Sequence, residues 1–255
     1  MRHCVITGAA DGIGKALARR FAIAGYVITG VDRDLELAAR TQAELEREGH
    51  QVAFVSADLA NQADIERALA ELAGKQRIDV LVNNAGINNV GRFATSDLRQ
   101  QQAVLDINFQ APLLLTAGLL AQGRIAPHGT LVYISSLSHF VSYPGATVYA
   151  AGKDGLAAYA RSLRTGLKQR GIDVLTVYPG PTRTAHARRY SPDNRRENRR
   201  MPPDTLATFI VDAVHARRAE LVVGFGNRAF AVVGQVLPQL TAFAIRKTLF
   251  EKLEP

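Results

Sequence analysis

TGAADGIG, residues 7–14, lies between the apolar run HCVITG (3–8) and a helical pattern over 13–24. Its glycines, Gly8, Gly12 and Gly14, are spaced G-x-x-x-G-x-G rather than G-x-G-x-x-G. Glycines permit a tight turn and a close backbone approach, and the free N–H groups of the following helix suit a pyrophosphate. A plain Gly-rich turn has the same composition. Placement directly between a first strand and a first helix favours dinucleotide binding.

Outward from this stretch, short apolar runs alternate with longer helical patterns. The strand-like runs are 3–8, 26–31, 51–56, 78–83, 129–135, 172–178 and 220–224. Helical patterns fill 13–24, 34–48, 61–73, 97–122, 149–170 and 204–217. Val, Ile and Leu occupy both alternating faces of the runs, so both sheet faces are expected to be buried. The alternation predicts one α/β domain over 1–255: a Rossmann-type, doubly wound parallel sheet with helices on both faces. Ligands of such sheets bind beyond the carboxyl ends of the strands, where strand order reverses.

The residues after each strand therefore carry the functional reading. Asp32 follows the second strand, eighteen residues after Gly14. A carboxylate there can bond a ribose 2′-hydroxyl and repel a 2′-phosphate, which favours NAD over NADP. The adjacent Arg33 could grip that phosphate, and Asp32 could instead serve the next helix N-terminus. Asp58 and Leu59 follow the third strand; Asp58 can accept from an adenine amino group or cap the helix near Asn61. Asn83-Asn84-Ala85-Gly86 follows the fourth, small enough for a ribose to lie on its backbone, although its Asn side chains can also brace the turn. Ser135 and Ser136 follow the fifth. Tyr149 lies thirteen residues beyond Ser136, and Lys153 one helical turn further on the same face.

In order, these residues resemble the short-chain dehydrogenase/reductase family: Thr7-Gly8-x-x-x-Gly12-Ile13-Gly14, Asp58, Asn83-Asn84-Ala85-Gly86, Asn108, Ser136, Tyr149-x-x-x-Lys153, Pro179-Gly180 and Thr184. The match runs from residue 1 to about 224. The resemblance implies a catalytic set of Asn108, Ser136, Tyr149 and Lys153. Tyr149 would be the acid in reduction and the base in oxidation, its phenol drawn down from about 10 by the Lys153 ammonium. Lys153 would also hold the nicotinamide ribose, Ser136 would donate to the substrate oxygen, and Asn108 would hold a water linking Lys153 to solvent. Cofactor contacts would come from Gly8, Asp11, Gly12, Ile13, Gly14, Asp32, Asp58, Leu59, Asn84, Ala85, Gly86, Tyr149 and Lys153, with Pro179, Gly180, Thr182 and Thr184 around the carboxamide. The cofactor is expected to be NAD, with NADP as the alternative, and no metal site is expected. Two positions depart from the family pattern. Thr182 stands where an aliphatic residue is usual. Gly152 stands where Ser is frequent; it costs the helix about 1 kcal/mol against Ala and could admit a ligand. Without the resemblance, Ser136 reads as a turn cap and Asn108 as a helix-kink residue ahead of Pro112.

Composition narrows the partners. The chain has 255 residues, 47% hydrophobic and 21% charged, enough for a packed core. Its one cysteine, Cys4, excludes an internal disulfide and fits a reducing cytoplasm. Much of the net charge of +8 sits in 183–200, where seven arginines face Asp193 and Glu197. No basic stripe interleaved with aromatics runs along the chain, so a nucleic-acid partner is not expected. No leader is expected ahead of the first strand.

Substrate contacts are expected from loops 87–96, 137–147 and 181–203, with Leu137, Phe140 and Tyr143 joining Ser136 and Tyr149. His139 reads as a loop residue. The Arg-rich part of 181–203 reads as a mobile, solvated insertion, or else as a lid recognising an anionic substrate. Loss of several of these arginines without a change in KM would remove the anionic reading. The apolar extension 226–255 is expected to bury on its own domain or on a partner subunit; a cover over a lipophilic substrate and a membrane-surface helix are the alternatives. A homodimer or homotetramer is expected from the resemblance. The leading function is an oxidoreductase moving a hydride between NAD(H) and a secondary alcohol or ketone. An NADPH-dependent carbonyl or 3-oxoacyl reductase is the alternative enzyme. A non-catalytic nucleotide-sensing or membrane-associated scaffold is the alternative of another class.

Overall fold

Runs rich in β-branched residues fit a pleated sheet buried on both faces, and all seven form strands. They are β1 (Arg2–Thr7), β2 (Tyr26–Asp32), β3 (Val52–Ser56), β4 (Ile78–Asn83), β5 (Ile125–Ile134), β6 (Asp173–Tyr178) and β7 (Glu220–Val222). Every pairing is parallel, in the order β3-β2-β1-β4-β5-β6-β7. The computed structural model describes residues 1–141, 143–191, 194, 195 and 197–248. Ser142 of the loop after β5, residues 192, 193 and 196 of the Arg-rich stretch, and 249–255 of the C-terminal extension lie outside the described residues.

Ten α-helices connect and flank the described strands. They are α1 (Gly12–Ile23), α2 (Leu35–Arg47), α3 (Gln62–Ala73), α4 (Leu98–Leu105), α5 (Ala111–Ala121), α6 (Thr147–Leu167), α7 (Ala185–Tyr190), α8 (Pro203–His215), α9 (Phe225–Val236) and α10 (Pro238–Thr248). On one face of the sheet, Leu17, Phe21 and Ala22 of α1 meet Leu206, Ile210 and Val211 of α8 in a core that includes Leu45 of α2. On the other, Ile65 and Leu72 of α3, Leu115 and Leu119 of α5, and Leu156 of α6 surround Leu81, Leu131 and Tyr133.

The pattern over 97–122 is not one regular helix. A π-helical segment, Asp106–Gln110, separates α4 from α5. Pro112 lies four residues beyond Asn108 and has no N–H to donate to the Asn108 carbonyl, so the ordinary ladder is lost here. The whole stretch Leu98–Ala121 is long and apolar enough to cross a membrane. Its Ala111, Leu115 and Leu119 are instead core residues against the sheet.

The described part of the 181–203 insertion is largely exposed, as a solvated loop should be, and it also carries internal hydrogen bonds. Its ends are joined: Arg183 donates to the Met201 carbonyl at 2.9 Å, and Met201 to the Pro181 carbonyl at 3.0 Å. Arg188 pairs with Glu197 at 3.1 Å, and Arg200 donates to Ser191 and to Asn194, each at 2.8 Å. Internal partners for arginine forks order the segment, which repulsion among like charges alone would extend.

Candidate active site

Strand order reverses between β1 and β4, and the candidate residues collect at the carboxyl ends of β1, β4, β5 and β6. Gly8 and Gly12 lie at φ of 65° and 55°, a region that favours glycine. A Cβ on Gly14 would overlap the Gly8 carbonyl oxygen. The start of α1 is therefore bare backbone, and no acidic residue lies in its first turn. That is a fitting cradle for a dinucleotide pyrophosphate, with Asp11 exposed at its rim and Ile13 packed against the core.

The turn after β4 is locked to this cradle. The Thr7 hydroxyl accepts from the Asn84 and Ala85 N–H groups, each at 3.0 Å. The Asn84 amide donates to the Thr7 and Gly8 carbonyls at 2.9 and 3.2 Å. Its side chain thus braces the Gly-rich turn, the second of the two roles its sequence allowed.

Asp32 ends β2, where one carboxylate oxygen accepts from Ala10 N–H at 3.0 Å and the other from Asp34 N–H at 3.2 Å. The cap of α2 is Asp34, which accepts from Leu37 N–H, and the cap of α3 is Asn61, which accepts from Ala63 N–H. Neither Asp32 nor Asp58 is a helix cap. Asp58 closes its own turn onto Ala60 N–H at 3.0 Å and meets the Arg33 guanidinium at 3.4 Å, beside the buried Leu59.

Tyr149 and Lys153 share a face of α6, as their spacing requires. The Ser135 hydroxyl donates to the Lys153 carbonyl at 2.9 Å, which fixes α6 to the end of β5. Ser135 is therefore structural. The Ser136 hydroxyl accepts from Ser138 N–H at 3.1 Å, so it does cap the following turn. Its own hydrogen stays available to donate. Lys153 is buried, its ammonium donating to the Ile134 carbonyl at 2.7 Å and standing 5.9 Å from the Tyr149 ring centre. Asn108, in the π-helical segment, is fully buried and exchanges two 2.8 Å hydrogen bonds with the Ile87 backbone. A Cβ on Gly86 would meet Asn108 Oδ1 at 3.1 Å and Lys153 Nζ at 3.3 Å, so these three converge on one spot.

Other expected residues divide in role. Tyr143 lies near enough to Tyr149 to raise its pKa. Leu137 is packed with Ala157, Tyr178 and Ala231, and Phe140 leans on that cluster. His139 stacks on Tyr178 and pairs with Asp154 at 3.1 Å, as a loop residue should. Pro179 accepts from Leu137 N–H at 3.2 Å. Thr182 is tied to the Gly180 carbonyl at 3.0 Å, and Thr184 caps α7 through Ala187 N–H at 3.1 Å while its methyl faces Gly12. Gly152 does not open toward a ligand. A Cβ there would touch Asn108 Cβ at 3.7 Å and Leu105 Cδ2 at 3.9 Å, ordinary contacts. Gly152→Ala is therefore expected to stabilise the protein by about 1 kcal/mol, read as a Tm rise of about 2–4 °C with kcat unchanged.

Two residues escaped the sequence reading. His186, on α7, is exposed, and the surrounding protein and the Lys153 and Arg189 charges lower its pKa to about 4. Its place two residues after Thr184 was the available signal. Asn227, on α9, sits against Gly180; it lies in the extension, where no motif marks it.

The family model described as short chain dehydrogenase matches residues 2–195. The chain belongs to the short-chain dehydrogenase/reductase family. Oxidoreductase UcpA of Salmonella typhimurium is 32% identical, covering 85% of this chain and 81% of its own. The 1-deoxy-11-beta-hydroxypentalenate dehydrogenase of Streptomyces exfoliatus is 40% identical over 70% of this chain, and the match spans 66% of that protein's length. Among solved structures, a short-chain dehydrogenase from Sphingobium yanoikuyae in complex with NADPH is 28% identical, with a TM-score of 0.79, covering 92% of this chain and 93% of its own. This short-chain dehydrogenase/reductase is an NAD(P)-dependent oxidoreductase acting on a CH–OH group, and the scaffold alternative falls away.

The electrostatics of the site correct one expectation. Burial pushes the Tyr149 phenol above its ordinary range, the neighbouring Ser136 pulls it down, and Tyr143 pushes it up again. Lys153 was expected to lower it. The ammonium instead points to the Ile134 carbonyl, and its own burial lowers it to about 8. Bound nicotinamide supplies the hydride donor or acceptor. With Tyr149 as the expected acid of reduction and Lys153 as its charged neighbour, kcat/KM for reduction is expected to be flat below pH 8 and to fall about tenfold per unit above it, as Lys153 loses its proton. Oxidation needs the phenolate together with the charged Lys153, so its rate is expected to rise up to about pH 8 and to level off above it. Initial-rate profiles in both directions check this.

Proposed function

We propose that the enzyme transfers hydride between NAD(H) and a secondary alcohol or its ketone, on a largely apolar substrate, as a cytoplasmic homo-oligomer. The observation that carries the reaction is the convergence of Ser136, Tyr149, Lys153 and Asn108 beside the Gly-rich cradle. In oxidation Tyr149 takes the alcohol proton while Ser136 holds the oxygen; in reduction the proton returns to the carbonyl oxygen. Lys153, bonded to the Ile134 carbonyl, would hold the nicotinamide ribose.

Preference for NAD is supported by Asp32, held by Ala10 and Asp34 N–H groups at the end of β2, with Arg33 drawn toward Asp58. A carboxylate so placed accepts from a ribose hydroxyl and opposes a 2′-phosphate. A second reading has its own support: Arg33 is largely exposed, its link to Asp58 is long, and the Sphingobium relative was solved with NADPH. Fluorescence titration with NADH and NADPH separates them. Tighter NADH binding, reversed by Asp32→Ala, supports the first. Tighter NADPH binding, lost in Arg33→Ala, establishes the second. An apolar substrate is supported by Tyr143 beside Tyr149, and alcohol oxidation by the relative named as a hydroxypentalenate dehydrogenase.

A further inference from the structure

Fourteen large apolar side chains stand exposed among the described residues, and eight of them lie between Phe225 and Phe243. Helices α9 and α10 turn small or few residues inward. Ala231 packs with Leu137 and Tyr178, and Gly234 lies so close to the Phe140 carbonyl that a Cβ would overlap it. Thr241 and Ile245 are buried positions of α10 among its described side chains. The large residues are the outer ones: Phe225 is 89% exposed, Val236 69%, Leu240 58% and Phe243 56%. Water-facing helices normally carry polar residues there. So dense an apolar surface marks an interaction site.

Charge selects the partner. Residues 225–248 contain Arg228, Arg246 and Lys247 and no Asp or Glu. All three cations are exposed, and the Lys247 ammonium lies 4.9 Å from the Phe243 ring centre. A contact between copies through this face would bring together two hairpins that each carry three cations and no acid within 225–248. An anionic lipid surface offers an apolar layer and negative headgroups together. The shape agrees. The helices have 12 and 11 residues, each about half of the roughly 20 a span requires, and they turn by 114° at Leu237.

We propose that α9 and α10 seat this protein peripherally on an anionic bilayer surface. The outer apolar side chains enter the headgroup boundary, and Arg228, Arg246 and Lys247 meet lipid phosphates. The inner face of α9 rests on the Leu137–Phe140 turn that follows Ser136, so the bilayer would adjoin the substrate loop. The proposal is independent of cofactor preference and of the reaction.

The experiment is flotation of the full-length protein with phosphatidylglycerol–phosphatidylcholine vesicles and with pure phosphatidylcholine vesicles. The protein should float with the anionic vesicles. Val236→Glu/Leu240→Glu should weaken binding more than about tenfold, and Arg246→Glu/Lys247→Glu about fivefold or more per charge. Unchanged circular dichroism and Tm would show that these surface variants fold. Absence of wild-type flotation overturns the proposal, as does equal binding to pure phosphatidylcholine unaffected by charge reversal. Sedimentation velocity identifies the rival occupant. A wild-type oligomer that never floats and becomes monomeric in Val236→Glu/Leu240→Glu would make this face a contact between copies.

Discussion

Tyr149→Phe is expected to lower kcat by about 10³-fold in both directions while NADH or NADPH still binds with unchanged affinity. The substitution removes one oxygen and leaves the ring that packs near Lys153 and Tyr143. The nearby Lys153 ammonium is already engaged with the Ile134 carbonyl at 2.7 Å. Stopped-flow measurement of a single turnover would separate loss of chemistry from loss of binding. A variant that kept a tenth of the wild-type rate would remove Tyr149 from the acid–base role.

Gly14→Ala is expected to be the most damaging single-methyl change in the chain. The added Cβ has no free position, since the Gly8 carbonyl oxygen already occupies it and the Asn84 amide stands behind. The clash is with backbone, which a rotamer change cannot relieve. Gly8 is itself fixed by the hydrogen bond from its N–H to the Val31 carbonyl at 2.8 Å and by Asn84. The expected cost is about 3 kcal/mol or more, a fall of Tm of roughly 6–12 °C at this chain length. Cofactor affinity should fall with it, because the first turn of α1 must move away from Gly8. Differential scanning calorimetry with and without cofactor would read both effects. The contrast with Gly152→Ala is informative, since both are helical glycines and only one has room.

Much of this architecture is written in local sequence. The seven strands are legible because a strand buried on both faces is apolar on both alternating faces, in short runs bounded by turn residues. The grouping of the candidate set is legible because Tyr149 and Lys153 sit one turn apart on α6 and Asn108 and Gly86 meet Lys153 at the strand ends. The less legible features depend on partners distant in the chain. The π-helical segment at Asn108 shows only as Pro112 downstream. Order in the Arg-rich insertion depends on Arg188 finding Glu197 and on the two ends meeting at Met201, which composition does not reveal. The roles of Asn84 and Ser135 were ambiguous because a short polar side chain at a strand end can face a ligand or a backbone equally well. The direction of the Tyr149 shift was missed because burial opposes charge attraction, and sequence gives no depth.

The pairing of α1 with α8 bears on how the chain is made. Helix α8 begins at Pro203, about 180 residues after α1 ends at Ile23, and Phe21, edge-on to Tyr26, completes its burial only when Leu206, Ile210 and Val211 arrive. At roughly 5–20 residues per second, a nascent chain on the ribosome carries that unfinished packing for about 10–40 s. The dinucleotide cradle at its amino end cannot settle as an autonomous early unit. A chain terminated just beyond Lys153 would hold all four proposed catalytic side chains and still lack the helix that packs on α1.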